Sequence, residues 1–89
     1  MIDSLHEAEL RKLNSIFYGR LSNNHISFYS EYIDYGEYCL ALETLCDYLC
    51  EEDVALSEPE YQELLRLGLL VGANMDAGRF RYIKTLVTG

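Results

Sequence analysis

The chain has 89 residues, 15 of them acidic against 7 basic, for a formal charge of -8. That length supports one domain with one modest core. With 49% of residues apolar and 12% aromatic, it is too hydrophobic for a disordered acidic tail. No apolar run reaches the ~20 residues of a membrane helix, and the opening Met1-Ile2-Asp3-Ser4 lacks the basic-then-apolar layout of a secretion signal. The negative charge repels phosphate, which argues against direct nucleic-acid binding and against docking on an anionic membrane. Cys39, Cys46 and Cys50 are an odd set crowded into one short stretch, a usage that points to a reducing, cytoplasmic compartment rather than a disulfide framework.

In chain order, the first helix is predicted over about residues 4–18. Ser4 and Glu7 have the spacing of a capping box. Leu5, Leu10, Leu13, Ile16 and Phe17 recur on one side, with Glu7, Arg11, Asn14 and Tyr18 opposite and Gly19 closing the helix. Asn23 or Asn24 is placed to cap a second helix. It carries Ile26, Tyr29, Tyr32 and Ile33 inward and Ser27, Ser30, Glu31 and Asp34 outward, and Gly36 suits its left-handed close. A third helix is predicted over about 37–52. Tyr38, Leu42, Leu45 and Leu49 fall in one arc, and Glu43, Asp47 and Glu51 lie on the far side. The run Glu51-Glu52-Asp53 breaks it.

Ser57-Glu58-Pro59-Glu60 is the clearest helix start, a capping box with proline in the first turn, where its missing amide costs nothing. The fourth helix then points Tyr61, Leu64, Leu65, Gly68 and Val71 inward and stops near Gly72. Phe80, Tyr82, Ile83, Leu86 and Val87 fit a short fifth helix or an added strand about equally well. A helix is preferred, because a lone strand has no partner in an otherwise helical chain. The expected fold is all-α, a single domain over residues 1–89 with four main helices and a short fifth helix or extended C-terminal tail.

Charge is segregated along the chain. Every Lys and Arg lies in residues 11–20 or 66–84, whereas the stretch from Leu21 to Leu65 holds only acids, among them Glu31, Asp34, Glu37, Glu43, Asp47, Glu51, Glu52 and Asp53. Glu43 with Asp47, and Asp47 with Glu51, are like-charged pairs four apart, which cost a helix a few tenths of a kcal/mol. The bland reading is a solvated face that keeps the protein soluble. The functional reading is a template for a basic partner, with association sped by electrostatic steering. Leu40 projects onto the acidic face, and Phe28 and Tyr35 flank Glu31. Apolar anchors ringed by charge are the anatomy of an interface centre. On this reading Glu31, Asp34, Tyr35, Glu37, Leu40, Glu43, Asp47, Glu51, Glu52 and Asp53 form the partner-binding face. Asp47 and Glu51 are expected to be exposed, so their reversal to lysine leaves the fold intact.

Other chemistry finds little support. Eight tyrosines could stack nucleobases, but no basic residues stand near Tyr29, Tyr32, Tyr35 and Tyr38 to hold phosphate. Tyr35 and Tyr48 fall at the boundary between core and surface and are the expected contact tyrosines. Cys39 lies about 10 Å of helical rise from Cys46, beyond one metal shell, so the thiols are read as small reduced hydrophobes. No phosphate loop, HExxH or nucleophile elbow occurs, and no catalytic residue, metal, cofactor or small-molecule substrate is expected.

The block Tyr32-Ile33-Asp34-Tyr35-Gly36-Glu37-Tyr38-Cys39-Leu40-Ala41-Leu42-Glu43-Thr44-Leu45-Cys46-Asp47-Tyr48-Leu49 is followed by Leu56-Ser57-Glu58-Pro59-Glu60-Tyr61, Leu64 and Leu67-Gly68. Together they resemble the MafI-type immunity proteins of bacterial polymorphic-toxin and contact-dependent inhibition systems, over roughly residues 26–70. The resemblance implies a cytoplasmic antitoxin that binds the C-terminal toxin domain of a secreted or surface-displayed effector. Such toxins are often basic RNases, the EndoU class among them. It carries over no contact residues, and residues 74–89, with Arg79, Arg81 and Lys84, lie outside it. The alternative is an acidic helical adaptor or regulatory protein that binds another basic protein.

Overall fold

The computed structural model describes the backbone of residues 2–88 and the side chains of residues 5–88. Among these, the chain forms α1 (Ile2–Phe17), α2 (Asn23–Asp34), α3 (Tyr38–Glu51), α4 (Glu58–Val71) and α5 (Gly78–Thr85). The expected all-α bundle of four main helices and a short fifth is what forms. Helix α1 begins at Ile2, ahead of the expected start, so Ser4 lies within the helix rather than at its N-cap; its side chain lies outside the described residues.

The helix ends follow from their capping residues. Ser22, rather than Asn23 or Asn24, caps α2, its hydroxyl accepting from the His25 amide at 3.1 Å. Both asparagines instead enter the first turn. Gly36 closes α2 at φ +75° while the Glu37 amide reaches back to the Tyr32 carbonyl at 2.9 Å, the wrap that only a left-handed residue permits. Asp53 takes the same role after α3 at φ +48°, with the Val54 amide on the Leu49 carbonyl. The capping box at Ser57 and Glu60 forms in both directions, at 2.9 and 3.2 Å.

The core is built around α3, whose Ala41, Leu42, Leu45, Cys46 and Leu49 are all fully buried. It packs against α2, α4 and α5, and α1 closes the far side. Leu10, Leu13 and Phe17 come from α1, Tyr29 and Ile33 from α2, Leu64 and Leu67 from α4, and Phe80 and Ile83 from α5. Tyr29 spans the core with its hydroxyl donating to the Leu10 carbonyl at 2.6 Å, and burial pushes its pKa up.

Two inward assignments need correction. Leu5 and Ile16 are exposed, because they sit roughly 100° round α1 from the Leu10, Leu13 and Phe17 stripe. Arg11 and Asn14, expected on the solvent side, turn toward α2 instead. Asn14 donates to the Ser30 hydroxyl at 3.1 Å. On α4, Leu67 is fully buried alongside Leu64 and Gly68, while Tyr61, Leu65 and Val71 are only half-buried.

Residues 78–85 take the helical form, and a short extended segment follows it. After α5, the backbone of Leu86–Thr88 runs beside Leu56. The Leu56 amide donates to the Leu86 carbonyl at 2.9 Å, and the Thr88 amide donates to the Leu56 carbonyl at 3.0 Å. The partner for an extended segment is thus the α3–α4 connection, a single bridge rather than a sheet.

Arginines tie the helix seams. Arg11 of α1 reaches Asp34 of α2 at 2.5 Å, and Arg66 of α4 reaches Glu9 of α1 at 2.7 Å. Arg20, beyond α1, grips Glu60 of α4 at 2.5 Å and lies over the Phe17 ring. The Arg20 bond, aided by the Ser57 amide, holds the Glu60 carboxyl below its usual value of 4.5. A depressed carboxylate contributes stability above its unfolded pKa and loses it as pH falls through the folded one. Glu60→Gln should therefore flatten the fall in stability below about pH 4.5, as read by urea midpoints across the acid range. An unchanged acid limb would contradict this role.

Candidate functional site

The ten residues expected to form one acidic face fall into two groups. α2 and α3 form an antiparallel hairpin about Gly36, registered by the His25 ring stacked on Tyr48 at 4.0 Å and 17°. Four of the ten, Asp34, Glu43, Asp47 and Asp53, are engaged with the protein itself. Asp34 is held by Arg11. Arg79 of α5 lies between Glu43, at 3.4 Å, and Asp47, at 2.8 Å, with both carboxylates half-buried. Asp53 accepts from the Tyr82 hydroxyl.

Asp47 is therefore not a free exposed acid. The like-charged spacing of Glu43 and Asp47, which looks unfavourable along the helix, is the two-pronged seat of a guanidinium from another helix. The basic tail is no separate surface in this respect. Phe80, Ile83 and Leu86 sink into the core, and Arg79 is delivered to α3 by that packing. The Cys50 thiol adds a contact to the Arg79 carbonyl at 3.6 Å. No sequence pattern pairs residues 32 positions apart, which is why this seat was hidden.

The other six residues stay exposed. Among the described residues Glu31, Glu37, Glu51 and Glu52 make no ion pair, and Tyr35 and Leu40 project beside them. Phe28 belongs with this group, 53% exposed against 75% for Tyr35 and 42% for Leu40. Its signal was present in the sequence as an aromatic flanking Glu31. Glu37 also lines a recess of about 300 Å³ with His6, Tyr38, Cys39, Leu70 and Val71. His6 meets the Tyr38 ring edge-on there at 6.4 Å.

No family model, curated protein or solved structure matches this chain.

The site's chemistry therefore rests on its own geometry. Among the described residues no cluster of three His, Cys, Asp or Glu side chains could hold a metal ion. All three cysteines are free thiols. Cys46 is buried, and burial, reinforced by Cys50 and Asp47, pushes its pKa up, which keeps it protonated and a poor nucleophile. Cys39 and Cys50 are half-buried and are shifted the same way by burial. No helix among the described residues is long and apolar enough to cross a membrane. The exposed part of the hairpin is a surface of carboxylates with Phe28, Tyr35 and Leu40 among them.

Proposed function

We propose that this chain is an immunity protein that binds the basic toxin domain of a polymorphic-toxin or contact-dependent inhibition system, in the cytoplasm, and blocks it stoichiometrically without turnover. One observation carries the reading. Arg11, Arg20, Arg66 and Arg79 are engaged at helix seams, while Glu31, Glu37, Glu51 and Glu52 are left without cations on the α2–α3 side. A fold that places four of its seven cations at helix seams leaves its excess acid on the surface. A nuclease must display Lys and Arg to hold phosphate, and an acidic surface competes for the same groups. The likeness of residues 26–70 to MafI-type proteins supports the same role.

The decisive experiment is co-expression with the C-terminal domain of a large toxin-like protein encoded by a neighbouring gene. An immunity protein restores growth and co-purifies one-to-one with that domain. An acidic adaptor, the second reading, binds a basic regulator encoded elsewhere and gives no protection. Failure to protect, with soluble protein accumulating, would reject the immunity role.

A further inference from the structure

We propose that the outer face of the α2–α3 hairpin, centred on Phe28, Tyr35 and Leu40, is the docking surface, and that its occupant is a basic protein segment carrying an apolar side chain among its arginines or lysines. This deepens the reading above and rests on it. It differs from the face expected from sequence, which counted Asp34, Glu43, Asp47 and Asp53 as contacts and did not include Phe28.

Three observations place the surface. On α2, Phe28, Glu31 and Tyr35 follow one another at spacings of three and four, on the side away from α1. The α1 side of that helix is occupied by Ser30 and Asp34, which bond Asn14 and Arg11. On α3, Leu40 and Glu51 lie eleven residues apart on one side, about 16 Å along the axis, while Glu43 and Asp47 turn to α5. The His25–Tyr48 stack joins the two helices between these rows. The free faces therefore merge into one strip, closed at the turn by Glu37.

The make-up of the strip selects the occupant. Three large exposed apolar side chains are the interface-centre element, and Glu31, Glu37 and Glu51 are its charged rim. A second copy of this chain would set one unpaired carboxylate rim against another within molecules of charge -8, so self-association is disfavoured. A neutral apolar segment would leave the rim carboxylates desolvated without partners. A basic segment answers both parts, and the fold already displays the polar half of that chemistry at Arg79 on Glu43 and Asp47.

The test uses the full chain, isotope-labelled, titrated with a synthetic amphipathic peptide of about five helical turns built from arginine and leucine. A glutamate–leucine peptide of equal length is the control. Amide shifts should concentrate at Phe28, Glu31, Tyr35, Leu40 and Glu51. Phe28→Ala should weaken binding about tenfold, and Glu31→Lys with Glu51→Lys should abolish most of the salt dependence of association. Leu69→Ala, at an exposed leucine on α4, should change nothing.

The surface is overturned by shifts centred elsewhere, by absence of binding, by equal binding of the acidic peptide, or by a wild-type dimer that Phe28→Ala dissolves. The toxin domain separates this proposal from the role. If it binds and spares cells equally with wild type and with the Phe28, Glu31 and Glu51 triple variant, the surface fails and the immunity role stands. If no toxin domain is bound but the peptide maps as expected, the role fails and the surface stands.

Discussion

Replacing Phe80 with alanine should cost about 3–5 kcal/mol, the range for truncating a buried phenylalanine. A domain of this size has a total stability of roughly 4–13 kcal/mol, so the loss is a large share of it. Phe80 is 3% exposed and packs α5 against Gly68 of α4. The contact is close because residue 68 is glycine. A Cβ there would lie 3.3 Å from the Phe80 ring and 2.7 Å from the Met75 sulfur.

The same geometry predicts coupling. In the wild type, Gly68→Ala sets a helix-propensity gain of about 1 kcal/mol against that crowding. In the Phe80→Ala background the space is open, Met75 is free to move, and Gly68→Ala should stabilise. Urea unfolding of the four proteins in the cycle measures the interaction. A Phe80→Ala loss below about 1 kcal/mol would mean that α5 is not part of the core.

Asp47→Lys should destabilise the protein by about 1–2 kcal/mol, whereas Glu51→Lys on the same helix should fall within about 0.5 kcal/mol of wild type. The difference comes from Arg79, whose Nε donates to Asp47 at 2.8 Å. Asp47→Lys removes that acceptor and sets a second cation beside the guanidinium, with Glu43 alone to balance both. Both groups are partly exposed, which keeps the effect below that of a buried pair. Exchanging the charges, Asp47→Arg with Arg79→Asp, should recover most of the loss. Thermal unfolding of the single and exchanged variants reads this directly. Equal tolerance of lysine at positions 47 and 51 would return Asp47 to the free acidic face.

The separate behaviour of residues 47 and 51 marks where one-dimensional reading stops. Helix periodicity places them together on α3, and only a neighbour far away in the chain distinguishes them. The same holds at residue 34, whose cation comes from α1, and at residue 53, whose hydroxyl donor comes from α5. Conversely, the exposure of Glu31, Glu37, Leu40, Glu51 and Glu52 is legible from helix periodicity and position alone. Phe28 is visible in the sequence as an aromatic flanking Glu31, but its place beside Tyr35 and Leu40 is not. A single exposed aromatic is common, and its meaning depends on what stands beside it.

Local information was enough wherever the deciding interaction spans a few residues. The helix arcs of α3 and the capping box at Ser57–Glu60 are contacts within one or two turns, so residue order specifies them. The left-handed close at Gly36 is equally local, since it depends on the missing side chain of one residue. The rotation of α1 that exposes Leu5 and Ile16 and the α5 fold-back that seats Arg79 are different in kind. So is the pairing of Leu56 with the chain end. Each depends on which surfaces meet when five short helices share one core, and close packing of the whole set chooses that.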